Sequence, residues 1–297
     1  MSSVTDVAPV AATRTPEGAP RRPRKSRGGA LLGLLAWVIG FLFVVPVLWM
    51  VLTSLHSEED AATNPPSLFA PLTTEGYRSF FGVGTGTSPW PSLLNSLTAS
   101  VVSTIIVLLL AIPAAYALSI KPVRKWTDVM FFFLSTKFLP PIAALLPIYL
   151  IVKGLNMLDN VYTLVILYTS MNLPIAVWMM RSFLAEVPKE ILEAAQVDGA
   201  GITRVLASIV APIAMPGIAA TSLICFIFSW NEFMFAVNLT ATVSATAPIF
   251  LVGFISSQGL FLAKLCAAAT LVSLPVLIAG FAAQDKLVRG LSLGAVK

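Results

Sequence analysis

Between Gly28 and Leu55 the chain reads GGALLGLLAWVIGFLFVVPVLWMVLTSL, without one charged residue. About 20 predominantly apolar residues cross a ~30 Å hydrocarbon core as a helix, so this run spans with a margin. A cleaved secretory leader would carry an apolar core of roughly 7–15 residues and then a small-residue cleavage site. Here the run is longer and no such site follows, so it reads as a retained first span. Residues 1–29 before it are rich in Ala, Pro, Thr and Arg without periodicity, and read as a disordered basic tail.

The same kind of run recurs down the chain. Apolar stretches at about 93–120, 129–152, 161–180, 216–239 and 265–284 join the first at 30–55, and together they predict six transmembrane helices within residues 30–297. Barrel strands would show only ~10 residues of alternating pattern, so an all-α integral membrane fold is expected. The segment 241–262 is uncharged too, but Pro248, Gly253, Gly259 and several Ser and Thr leave its apolar part too short to span. It reads as an external loop with a short helix or a partly inserted turn. Composition agrees: 57% of the residues are hydrophobic and 11% charged, with mean hydropathy +0.87. Soluble domains carry roughly 25% charged residues, so an ordinary water-soluble enzyme is excluded.

Position explains the net charge of +5. Lys and Arg accumulate in short cytoplasmic flanks. With the N-terminus inside, fifteen of the nineteen basic residues fall in inner segments and three (Arg78, Lys153, Lys264) in outer ones, Lys137 lying within the third span. Both termini are therefore expected in the cytoplasm. A seventh span through Pro248 would put Lys286, Arg289 and Lys297 outside, against the rule. The positive charge is a topology signal, and no nucleic-acid partner is expected.

Chemistry-bearing residues are sparse. The only histidine, His56, and the cysteines Cys225 and Cys266 have no metal-ligand spacing, so no metal site is expected and the cysteines read as small apolar packers. No Gly-x-x-x-x-Gly-Lys-Ser/Thr loop exists to cradle nucleotide phosphates. Catalytic residues are not expected. Polar residues inside the spans are the remaining candidates, because a mid-bilayer charge costs about 2.5–3.5 kcal/mol on insertion scales and usually faces a cavity. Glu232 lies about 16 residues into the fifth run, ~24 Å along a continuous helix, with Asn231 beside it. Lys137 sits early in the third run, where snorkelling to the inner surface and lining a cavity are both open. Asn172 and Asn95 suit interhelical hydrogen bonds, with Asn172 also a candidate ligand.

The segment 181–215 does not look like a plain loop. Pro188 suits the first position of a helix, and Lys189–Ala195 are good helix formers. Gly199 after Asp198 can adopt the left-handed conformation that ends a helix. A second helix is expected from Ile202 or Thr203, stopping before Pro212. The result is a cytoplasmic helix–turn–helix with Ile191, Leu192 and Ala195 on one side. By physics alone, a linker folded against the membrane remains open.

Glu193-Ala194-Ala195, then Gly199, Ile209 and Pro212, resembles the EAA loop of permease subunits of ATP-binding-cassette (ABC) importers. Ala211 departs from it, standing where that signature has Leu. Phe228-Ser-Trp230-Asn231-Glu232-Phe233 and the ending Gly290-Leu-Ser-Leu-Gly294-Ala-Val-Lys297 resemble the carbohydrate branch, the maltose-permease G-type subunits. Ser135-Thr-Lys137-Phe-Leu-Pro140-Pro141 is similar to the sugar-alcohol permeases.

The resemblance implies a type I importer permease fold in a plasma (inner) membrane and carbohydrate as cargo. It implies a second homologous permease subunit, two ATPase subunits and an extracytoplasmic solute-binding protein as partners. ATP and magnesium would bind those ATPase subunits, with no cofactor on this chain. Glu193, Ala194, Ala195, Asp198, Gly199, Ile209 and Pro212 would serve coupling to the ATPase. Gly290 and Gly294 would belong to a C-terminal contact with it, and Asn231, Glu232, Asn172 and Lys137 to the translocation path. The same class with a non-sugar cargo such as a glycerophosphodiester is one alternative. An ion-coupled secondary transporter is another, though it would want inverted repeats and a buried carboxylate relay.

Overall fold

The computed structural model describes residues 27–295 except 64–66, 68, 85, 121–122 and 257–258. The expected tail lies outside the described residues up to position 26, and the backbone is already helical from Arg27. Two compact units divide the chain, Met1–Leu48 and Trp49–Lys297. The first holds most of α1 (Arg27–Thr53), which contains Pro46 and is apolar on every side, as a helix surrounded by hydrocarbon must be.

The second unit runs through α2 (Glu58–Ala61), α3 (Glu75–Phe80), α4 (Trp90–Ser119), α5 (Trp126–Ser135), a 3₁₀ turn (Thr136–Phe138) and α6 (Pro141–Gly154). It continues with α7 (Val161–Leu184), α8 (Lys189–Val197), α9 (Ile202–Arg204), a π turn (Val205–Val210), α10 (Ala211–Ile213) and α11 (Met215–Trp230). It ends with α12 (Met234–Leu239), α13 (Ala247–Val252), a hairpin of β1 (Ile255–Ser256) and β2 (Gly259–Leu260), and α14 (Leu262–Ala295). Leu31–Thr53, Trp90–Ser119, Val161–Leu184 and Leu262–Lys286 are each long and apolar enough to cross a membrane.

The most extensive helix contact is between α4 and α7. Along α4, Ser92, Ser96, Ala99, Ser100, Ser103, Val107, Ala111 and Ala115 are buried at three- and four-residue spacing. In lipid, helices gain nothing from hiding apolar surface from each other, so close backbone approach over small residues holds them together. Larger side chains of α7 (Leu164, Tyr168, Val177, Met180 and Leu184) fill the facing side and are almost fully buried.

Two expected spans are not continuous helices. The third, expected at 129–152, breaks into α5 and α6 at an 87° bend. Pro140 and Pro141 cause it: a proline disfavours helical backbone in the residue before it, and Leu139 is extended at φ −70°, ψ 121°. The fifth, expected at 216–239, stops at Trp230 and resumes as the short α12. Preceding it, the 202–213 stretch turns into α11 through an 84° bend. The second loop helix also does not stop before Pro212. Pro212 lies in the first turn of α10, where its missing N–H is harmless, and the wide turn at Val205–Val210 absorbs the change. Between α12 and α14, α13 is the short helix that the reading of 241–262 included, followed by the hairpin.

Candidate coupling loop, translocation path and outer loop

Helix α8 ends in a fully formed Schellman turn. Ala200 N–H donates to Ala195 O at 3.0 Å and Gly199 N–H to Gln196 O at 3.0 Å, with Gly199 at φ +69°. Leu192 and Ala195 are buried in a cluster with Val187, Val205 and Val210, together with Tyr116 and Leu118 of α4 and Met180 and Leu184 of α7. The loop is thereby seated on the feet of the long helices. Glu193, Ala194, Asp198, Gly199 and Pro212 are exposed, and Ile209 is half-buried against the same cluster. Ala195 therefore faces the chain's own core and cannot lie on an outward surface. Ile191, expected on one side with Leu192 and Ala195, departs from them and is 41% exposed, with Val197 at 89%. Beside this cluster the Arg181 guanidinium stacks over the Trp126 ring, 3.7 Å from its centroid, and ties the start of α5 to the end of α7.

The four path candidates do not converge on one point. Lys137, on the 3₁₀ turn at the bend, donates to Met171 O at 3.0 Å. Pro174 in α7 lacks an N–H, so the carbonyl left without its helix donor is that of Ser170, one residue before Met171. Lys137, Ser170, Met171, Pro174 and Phe235 line a cavity of about 190 Å³. Asn172 points away, fully buried, with Nδ2 donating to Ser229 Oγ at 2.9 Å, and Ser229 Oγ lies 3.2 Å from Ser103 Oγ. This links α7, α11 and α4 as the interhelical reading expected. Glu232 is not within a continuous helix: it sits past the end of α11 and accepts from Phe235 N–H at 2.9 Å and Ala236 N–H at 3.3 Å. An acid at that place satisfies free N–H groups at the start of α12. Asn231 is exposed and donates to Ile227 O at 2.9 Å. Gly290 and Gly294 lie on helical backbone near the end of α14.

Sequence reading missed Asp159. In the α6–α7 connection, at φ +54°, its carboxylate accepts four consecutive backbone N–H groups. Ala241 (3.0 Å) and Ser244 (2.8 Å) bind Oδ1, while Thr242 (3.2 Å) and Val243 (3.0 Å) bind Oδ2. Burial works against its charge, but those N–H groups outweigh it and hold the carboxyl below its ordinary range. From the other side Asn95 Nδ2 donates to Val243 O at 2.9 Å and Ala245 O at 3.0 Å. The one signal available was an acid in a short connection, which names no partner 82 or more residues away.

Residues 95–293 match the family described as the binding-protein-dependent transport system inner membrane component. The chain belongs to that family. A probable ABC transporter permease protein, y4oR, of Sinorhizobium fredii is 38% identical over 90% of this chain and 95% of its own length. The diacetylchitobiose uptake system permease protein DasC of Streptomyces coelicolor is 31% identical over 87% of this chain and 93% of its own. Among solved structures, a bacterial ABC transporter involved in the import of the acidic polysaccharide alginate matches with TM-score 0.70 at 21% identity, over 90% of this chain and all of that one. That likeness shows the shared fold. As a member of this permease family, the chain is a multi-pass membrane protein.

Proposed function

We propose that the chain forms half of the translocation path of an ABC importer for a carbohydrate, and that α8 is the helix through which an ATPase subunit drives it. The observation that carries the reading is the two-sided placement of α8. Leu192 and Ala195 lock it to the feet of α4 and α7, while Glu193, Ala194 and Val197 are left outward for another protein. A helix fixed on one side and bare on the other transmits a push without first bending. The carbohydrate assignment is supported by the relative named for diacetylchitobiose and by the Trp230-Asn231-Glu232-Phe233 and C-terminal motifs.

In this reading each bent helix pair crosses once, which makes six spans, with the basic flanks and both termini in the cytoplasm. ATP and magnesium bind two partner subunits, and this chain holds no catalytic residue. Gly290 and Gly294 lie toward those subunits. A second permease subunit closes the path. Lys137, Asn231, Glu232 and Asn172 belong to it either as lining or, for Asn172, as the hydrogen bond that keeps its wall together. ATP on the partners favours one access state and hydrolysis the other, because each ligand binds one state better.

The test is co-expression of the chain with its neighbouring genes, purification through this subunit and an ATPase assay. We expect an ATPase subunit to co-purify and its hydrolysis to rise with the sugar-loaded binding protein. Purification without any ATPase subunit would refute the reading.

A further inference from the structure

On the face opposite the coupling loop, the chain builds a charged socket that neither coupling nor translocation uses. Glu75 and Arg78, one turn apart on α3, and Lys264, in the first turn of α14, line a cavity of about 230 Å³ with Ser79, Val83 and Gly84. Two of the three basic residues assigned to the outer side thus meet at one place. Lys264 Nζ is 3.5 Å from Glu75 and 5.3 Å from the centre of the Phe261 ring. Arg78 is exposed and meets no acid among the described residues.

Two sides of the socket, α3 and the start of α14, are packed closely together. A Cβ on Gly76 would lie 2.9 Å from Ala267 Cβ and 3.2 Å from Ala263 O, so only glycine lets α3 sit this close to α14. Tyr77 Oη and Ser54 Oγ are 2.6 Å apart, and Phe80 is buried under the helix at 1% exposure. Glu58 accepts from Ala263 N–H at 3.1 Å and Lys264 N–H at 2.9 Å, fixing the start of α14. Close packing of α3 on α14 leaves only the Arg78 side chain itself to be ordered on binding.

We propose that this socket receives an acidic side chain of the extracytoplasmic solute-binding protein, with the carboxylate on Arg78. The inference rests on the importer reading above. A protein surface suits it better than a lipid phosphate, because the lining carries both signs of charge, Glu75 beside Arg78 and Lys264, and a bare anion matches only one of them. A protein can place an acid against Arg78 and a base against Glu75 together. Charge pairs at an interface rim act mainly through association rate and salt dependence.

The experiment uses the complete importer in proteoliposomes, with ATPase measured against the concentration of its sugar-loaded binding protein. Arg78→Glu is expected to raise the apparent KM for the binding protein at least about tenfold and Arg78→Gln by less, while Arg78→Lys stays near wild type. Wild-type KM should rise with salt and that of Arg78→Glu should not. An Arg78→Glu complex that assembles normally and keeps the wild-type KM and salt response would overturn the socket alone. So would a defect that follows phosphatidylglycerol content instead of binding-protein concentration, since that would make the site a lipid headgroup site. A wild-type complex that the binding protein fails to stimulate would overturn the importer reading and this inference together.

Discussion

Replacing Asp159 with Asn removes charge from the hub of the 241–244 segment while keeping its shape. The carboxylate takes two N–H groups on each oxygen. An amide oxygen can keep the Ala241 and Ser244 bonds at Oδ1. The amide nitrogen that replaces Oδ2 is a donor and would face the donors of Thr242 and Val243. Two charge-assisted bonds are lost, and at about 1.5 kcal/mol each, the low end suited to a half-exposed site, the segment loses about 3 kcal/mol of local stability. Each 1.4 kcal/mol is a factor of ten, so these amides should exchange with deuterium roughly a hundredfold faster. Hydrogen exchange read by mass spectrometry on a peptide covering residues 239–247 measures this directly.

The same carboxylate gives a pH signature. Its folded pKa is depressed, so its stabilisation is complete above the unfolded value, about 3.9, and is lost as pH falls through the folded value. Intrinsic exchange cancels in the ratio of variant to wild type at each pH. That ratio should be constant from neutral pH to about 5 and shrink toward one below the unfolded value. Equal exchange in the two proteins at pH 7, within about threefold, would refute the clamp.

Two further substitutions probe the fold and the coupling loop. Gly199→Val forces a β-branched residue into φ +69°, at a cost of at least about 1–2 kcal/mol. No atom lies within 4 Å of the added Cβ, so subunit assembly should survive while ATP hydrolysis and uptake lose their stoichiometry; unchanged uptake per ATP would count against α8 as the coupling helix. Gly217→Ala drives a methyl into the Phe183 side chain from its Cβ to its ring, where α11 packs on α7. Overpacking of this kind costs about 1–3 kcal/mol, visible as a lower thermal midpoint of the purified chain in detergent.

The long apolar helices expected at 30–55, 93–120 and 161–180 were legible because burial in lipid demands little but length and apolarity, and composition shows both. The turn at Gly199 was legible for a local reason, since a helix followed by Asp198-Gly199 has few ways to end. The EAA-like residues could be located in the same way, but not their facing. Whether Ala195 or Ile191 points inward depends on where the feet of α4 and α7 stand: Ala195, expected at the ATPase contact, is buried, and Ile191, expected on the same side, is exposed. Glu232 shows the same limit. Its distance along an ideal helix assumed that α11 continued, and in the structure it accepts from the N–H groups of α12 after the break.

From the amino acids alone one can read that this chain lives in a bilayer, which stretches are long and apolar enough to cross it, and where the first loop helix ends. Those are properties of single segments, fixed by transfer energies and backbone stereochemistry. The fold alone sets that two prolines bend the third apolar stretch by 87°, that Lys137 spends its ammonium on a carbonyl of α7, and that Asp159 holds a segment more than 80 residues further on. It also decided that Arg78 and Lys264 share one socket. Each of these depends on partners remote in sequence, and in a chain with so few charges the position of every partner matters more than its type.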